Sequence, residues 1–228
     1  MTPKDPALGV QGGLEAYAAL AAHQLGEAVA LVRGASSVLD GHRDRLGPGG
    51  EDALRAMAAG TERAQRFVDD LLDLVRATND VAEPASSDLA AAFAAAQAEL
   101  ELPLRRSGAR VTQRDLDATP APLGRGDAER LFVHLMRSAL AAGAHRLHVA
   151  AERDGPWLVV EIADDGEAPR PGADPLEPFG RPRGRGPLVG AGFSLLICRK
   201  LAERRGGSVA LASGDEAVVV TVRLPLEG

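Results

Sequence analysis

Apolar residues recur along the first part of the chain at alternating spacings of four and three: Leu14, Ala18, Ala21, Leu25, Ala28, Val32, Ala35 and Leu39. This is a heptad seam, and it predicts one long helix over residues 13–40. A Gly-rich stretch with a proline, 40–50, interrupts the pattern. A second seam through Leu54, Met57, Thr61, Ala64, Val68, Leu71 and Val75 predicts a helix over 51–77. Two helices joined by a short loop make an antiparallel hairpin. One hairpin cannot cover both seams, whereas two copies paired into a four-helix bundle can, so the pattern predicts a homodimer. Asp69, Asp70 and Asp73 read as a solvated helix face or a surface for a partner.

Beyond residue 77 the pattern changes. Asn79, Asp80, Pro84 and two serines mark a linker over 77–87. An Ala-rich helix is expected over 88–102, with Asp88 or Ser87 as its cap. A strand is expected over 109–115, a helix over 127–142 stopped by Gly143, and strands over 146–151 and 157–163 joined by a turn at Asp154-Gly155. Residues 166–192, rich in Gly, Pro and Arg, read as a long loop. A helix over 193–205 and strands over 208–213 and 217–224 close the chain. Helices mixed with antiparallel strands, without βαβ regularity, give an α+β class. Two domains follow, 13–77 and 88–226.

Composition narrows the partners. The net charge of −6 and pI near 5.4 argue against an electrostatic nucleic-acid binder. No run of 18 apolar residues is present to span a membrane. The first residues lack the basic and apolar regions of a signal peptide. A single cysteine, Cys198, cannot form an intramolecular disulfide and fits a reducing compartment. A cytoplasmic location is the expectation.

Several short motifs stand in one order. Ala22-His23-Gln24-Leu25-Gly26-Glu27-Ala28-Val29 lies on the first helix, and Ala64-Gln65-Arg66-Phe67-Val68-Asp69-Asp70-Leu71-Leu72 on the second. Leu131-Phe132-Val133-His134-Leu135-Met136-Arg137-Ser138-Ala139 lies on the helix over 127–142. Asp164-Asp165-Gly166 follows a strand, and Leu176-Glu177-Pro178-Phe179 and Gly190-Ala191-Gly192-Phe193-Ser194-Leu195 follow in turn. This series resembles the catalytic core of sensor histidine kinases over roughly 13–226, with a phosphoacceptor hairpin most similar to that of phytochrome-type kinases. The resemblance implies an ATPase domain of the histidine-kinase (Bergerat) type, an α/β sandwich. It also implies ATP and Mg²⁺ as cofactors, and a response-regulator receiver domain as partner. Input would come from a separate sensor protein or domain, since few residues precede the first helix.

Each motif would carry a distinct piece of chemistry. His23 flanks the seam positions Ala21 and Leu25, which puts it at the bundle edge. A neutral imidazole there is a competent nucleophile. Gln24 can hydrogen-bond it but cannot act as a base; Glu27, one turn on, is the nearest carboxylate on that face. By the resemblance, Asp164 accepts from the adenine amino group, and Gly166 lets the backbone pass close to the base. Gly190 and Gly192 admit phosphates to the start of the last helix. Ser138 stands where the family places the asparagine that holds Mg²⁺, and His134 one turn earlier replaces a second asparagine. A serine hydroxyl is a weaker ligand than an amide oxygen, and imidazole suits Mg²⁺ poorly. Ala28, Ala168 and Ser194 are further departures. Two readings follow: a histidine kinase with a degenerate asparagine box, or a pseudokinase or histidine phosphotransferase scaffold with little ATP turnover. His145 and His148, three apart on a strand, face opposite sides and cannot chelate together.

Overall fold

The computed structural model describes residues 25–79, 86–116, 120–170, 172, 174–176, 192–214 and 216–226. His23, Gln24, Gly190 and most of the expected loop over 166–192 lie outside the described residues. The chain divides between Asn79 and Asp80 into two compact units. Among the described residues no helix is long and apolar enough to cross a membrane.

The first unit is a helical hairpin. Residues 25–40 (α1) are helical, a 3₁₀ turn spans Arg43–Arg45, and α2 runs Pro48–Asn79. Pro48 opens α2, where a missing N–H costs nothing because that donor has no intrahelical acceptor. A Cβ placed on Gly26 would lie 3.5 Å from the Val68 side chain, while Ser36, Leu54 and Thr61 line one groove. The helices are therefore antiparallel. Gly26, Val29 and Ser36 are the least exposed positions of α1, facing Leu54, Thr61 and Val68 of α2. The apolar seam of α1 sits roughly a quarter turn away. Its members Leu25, Val32 and Leu39 are 47%, 47% and 42% exposed. On the α1 side Gly26, Val29 and Ser36 thus make the contact within the hairpin, and the larger seam residues are left exposed. Asp70 departs from the solvated-face reading: it is buried on α2.

The second unit is a layer of helices on one face of a five-stranded sheet. Its elements are α3 (Leu89–Glu99), α4 (Glu101–Ser107), β1 (Arg110–Arg114), α5 (Arg125–Ala141), β2 (Arg146–Asp154), β3 (Trp157–Asp164), α6 (Ser194–Glu203), β4 (Ser208–Ser213) and β5 (Val218–Pro225). The Asp88 side chain accepts from the Ala91 N–H and caps α3. The single helix expected over 88–102 is two, broken at Leu100. Pro103 has no N–H to donate back to Glu99, so one continuous helix would lose a rung there.

The sheet order is β1-β2-β3-β5-β4. β1 and β2 are parallel, with α5 as the crossover between them, so one βαβ unit exists where none was expected. All other pairs are antiparallel. The β2–β3 hairpin closes through Gly155-Pro156, with Gly155 at φ +58°. A two-residue turn needs a positive φ at that first position. Strand period then sorts the side chains. Val149, Ile162 and Val220 stand in one cross-strand row, and Leu147, Asp164 and Val218 in the row at its end. All six are buried and face the helices. Beneath them Phe93 of α3 meets Phe132 of α5 edge-on, centroids 5.2 Å apart. The arrangement makes the class α+β, helical hairpin first and mixed sheet second.

Candidate functional site

The inward row ends on a carboxylate. Asp164, the last residue of β3, is only 2% exposed and faces the helix layer, because it shares the parity of Leu158, Val160 and Ile162. Its Oδ1 accepts the Gly166 N–H at 2.9 Å, which fixes one oxygen and bends the chain out of the strand. Gly166 is required here by space. A Cβ at this position would lie 2.8 Å from the Ala142 Cβ, 2.9 Å from Asp164 Oδ1 and 3.0 Å from the Ala142 carbonyl oxygen. Ala142 is the C-cap of α5, so the turn after β3 rests directly on the end of that helix.

On α5, His134 and Ser138 stand one turn apart on the same side. They are 0% and 9% exposed. Nearly every side of α5 is buried, which is why its sequence shows no clean amphipathic stripe. At its start Asp127 takes hydrogen bonds from Arg130 and from Arg204, at the end of α6. Both members of the Asp127–Arg204 pair are mostly buried, 15% and 10% exposed. This pair locks α5 to α6 and was not legible from local sequence.

Gly192 has φ +81°, a conformation that favours glycine, and the next residue, Phe193, is the buried N-cap of α6. Gly190 lies outside the described residues. Glu27 lies on α1, exposed, in the first unit. His23 and Gln24, expected beside it, lie outside the described residues. The structure therefore brings together Asp164, Gly166 and the C-terminal end of the helix that carries His134 and Ser138.

A residue passed over as part of a motif is Asp165. Its Oδ1 accepts the backbone N–H groups of His145 and Arg146, each at 2.8 Å, and its Oδ2 accepts Arg146 Nε at 2.9 Å. Burial by itself would raise this carboxyl. The Arg146 N–H, the Arg146 guanidinium and the His145 N–H outweigh it and hold the group at about 2, against an ordinary 3.8. The signal available in the sequence was two consecutive acids before a glycine, only one of which can face the helices. His145 and His148 do part as their spacing requires: His145 Nδ1 meets the Ser107 carbonyl and His148 Nδ1 the Thr112 hydroxyl.

For Mg²⁺ the donors do not fit. The ion prefers oxygen ligands, while His134 presents imidazole nitrogen and Ser138 a single, largely buried hydroxyl. Among the described residues no group of three or more His, Cys, Asp and Glu could hold a metal. A cleft of about 600 Å³ lined by Arg110, Arg146, His148, Glu216 and also by Asp164 and Asp165 opens at the sheet, and neither His134 nor Ser138 lines it.

Residues 125–228 match the family of histidine kinase-, DNA gyrase B- and HSP90-like ATPases. Sporulation kinase B of Bacillus subtilis (strain 168) is 23% identical over 217 residues, covering 92% of this chain and 49% of that protein. The chain thus spans about half the length of this curated relative. Among solved structures, the Acinetobacter baumannii histidine kinase AdeS superposes with a TM-score of 0.61 at 17% identity, covering 90% of this chain and 98% of that one. Full-length ShkA, in complex with AMPPNP, superposes with a TM-score of 0.68 at 18% identity, covering 92% of this chain and 45% of that one. At these identities the structural likeness establishes the fold.

Proposed function

We propose that this chain, a sensor histidine kinase core by its matched ATPase family and by its fold, is a dimeric signalling protein phosphorylated on His23 that passes the group to a response-regulator aspartate. The observation that carries the ATP side of this reading is Asp164. It is a buried carboxylate at the end of β3, turned toward the helices, with one oxygen fixed by the Gly166 N–H. An acceptor held there suits the exocyclic amino group of adenine. The glycine beside it lets the turn rest on Ala142 and so holds that oxygen in place, and Gly192 opens α6, whose first N–H groups suit phosphate.

In the transfer, a neutral His23 ring nitrogen attacks the γ-phosphorus. The N–P bond forms as the bond to the ADP oxygen breaks, and ADP leaves. The other ring nitrogen then sheds its proton. Glu27, four residues on in the sequence, is the carboxylate that would orient the ring and receive that proton. Gln24 contributes a hydrogen bond only. Since His134 and Ser138 do not suit Mg²⁺, the phosphate charge is poorly neutralised and autophosphorylation from ATP is slow.

The exposed seam of α1 supports the dimer. Leu25, Val32 and Leu39 line one side of the helix, and the intramolecular contact is made elsewhere. A second copy is the partner whose seam has the same periodicity. A second reading is favoured by the same substitutions that slow turnover. With Gln24 beside the histidine and His134 and Ser138 on α5, the chain is a pseudokinase or histidine phosphotransferase scaffold that receives its phosphoryl group from a partner.

Titrating ATP against the chain with and without Mg²⁺, and testing for acid-labile phosphate, separates the two. Weak binding that changes little with Mg²⁺, and slow labelling lost in His23→Ala, supports the slow kinase. Binding without labelling from ATP, but with labelling from a phosphorylated receiver domain, supports the relay. Tight Mg²⁺-dependent binding with fast labelling overturns the degenerate-site argument.

A further inference from the structure

We propose that Asp165 is a positioning residue for the nucleotide site, an inference that rests on the reading above: its carboxylate staples the turn carrying Asp164 and Gly166 to the segment leaving α5. The geometry behind this begins with strand parity. Asp164 faces the helices, so Asp165 cannot, and its side chain turns back across the end of β2 instead. The β2–β3 ladder has its last pair at Leu147 and Asp164. Beyond that pair β3 offers no further strand partner, and three donors converge there: the His145 N–H, the Arg146 N–H and Arg146 Nε. A carboxylate has two oxygens and accepts only, so one group satisfies all three.

The staple has a second row. The Asp165 N–H donates to the Arg146 carbonyl at 3.3 Å, and the Glu167 N–H donates to the Ala142 carbonyl at 2.9 Å. Gly166 lies between these bonds and packs on Ala142. Residues 164–167 are thereby tied to 142–146, which is the segment running from the C-cap of α5 into β2. His134 and Ser138 sit on that helix, and Asp164 sits in that turn. Whatever spans the two depends on the distance the staple sets, yet Asp165 itself points to the other side of the sheet.

The test uses the full chain, ATP as the probe, and four variants. Asp165→Ala removes every acceptor, and ATP binding is expected to weaken about tenfold, the scale of one charge-assisted hydrogen bond. Asp165→Asn keeps an oxygen for the two backbone N–H groups and should recover most of that loss. Arg146→Ala removes the guanidinium alone and should fall between the two. Asp154→Ala breaks the 2.9 Å ion pair with Arg223 at the opposite end of the same strand pair, and should leave affinity unchanged. Amide hydrogen exchange in Asp165→Ala should quicken at His145, Arg146, Gly166 and Glu167 and not at Val149 or Val160. Unaltered ATP affinity in Asp165→Ala overturns the proposal. So does an equal loss in Asp154→Ala, which would make the effect one of general stability. No ATP binding by the unmodified chain overturns the nucleotide reading and the positioning role with it. Binding by the unmodified chain with indifferent variants overturns the positioning role alone.

Discussion

Adding a single methyl group at Gly166 should unsettle the ATPase-like unit more than most surface substitutions. In Gly166→Ala the new Cβ meets the Ala142 Cβ at 2.8 Å, Asp164 Oδ1 at 2.9 Å and the Ala142 carbonyl oxygen at 3.0 Å. Comfortable carbon–carbon contact begins near 3.5 Å, so relief requires a shift of about 0.7 Å. None of the three neighbours yields cheaply. One is a methyl with no rotamer, one is backbone at a helix C-cap, and the third would surrender its 2.9 Å bond to the Gly166 N–H. Overpacking of this kind costs about 1–3 kcal/mol, and the upper half of that range is expected here. With a urea slope of roughly 1–3 kcal/mol/M, the unfolding midpoint should fall by about 1 M.

A second substitution sharpens the test. Ala142→Gly removes the 2.8 Å contact but leaves the carbonyl at 3.0 Å. The double variant should therefore regain only part of the loss, a coupling of about 1 kcal/mol in a double-mutant cycle. ATP affinity should follow the same order, because the displaced atom is the Asp164 oxygen. Gly166→Ala with an unchanged urea midpoint and unchanged binding would show that the turn moves freely, and that its packing on α5 does not hold the site.

Three further outcomes follow from named groups. Asp165, held at about 2 against an ordinary 3.8, has a depressed folded-state pKa. Its contribution is complete above the ordinary value and is lost as pH falls through the folded one; Asp165→Asn should abolish about 1 kcal/mol of acid-dependent stability, allowing for solvent screening, measured as urea midpoints from pH 5 down to pH 2. Val32→Glu places a charge at the centre of the exposed seam of α1, and light scattering should read half the dimer mass; an undiminished mass would move the interface elsewhere. Burial pushes the Cys198 thiol well above its ordinary range, and its S–H meets the Leu131 carbonyl at 3.7 Å. A disulfide reagent should therefore react only as fast as the unit unfolds, and fast labelling in native buffer would show that α6 is loosely held.

What the sequence disclosed depended on whether one face or all faces of an element were buried. Strands β2 and β5 alternate buried and outward positions, and β3 does so apart from Val159, so period two exposed them. α5 is covered on nearly every side, and only its length and its glycine stop could indicate a helix. The βαβ crossover from β1 through α5 to β2 was missed because β1 carries no buried residue to mark it as part of the sheet. The break at Leu100 turned on one missing N–H, a signal present in Pro103 but outweighed by the run of alanines around it.

The hairpin shows the same lesson from the other side. Periodicity marks an apolar seam on α1, yet the packing within one chain uses the face carrying Gly26, Val29 and Ser36. Ser36 and Thr61 each return their hydroxyl to a carbonyl four residues back, at 2.9 Å and 2.8 Å, so they meet the partner helix as small, satisfied groups. Such residues let two helices approach closely without supplying much apolar burial. The larger residues Leu25, Val32 and Leu39 stay exposed. A heptad pattern records where the most apolar area must be covered, and that can be a contact between molecules. In the proposed dimer, the polar layer at Ser36 and Thr61 and the apolar seam beside it would belong to one design, in which a hairpin held lightly within each chain gains further burial from a second chain.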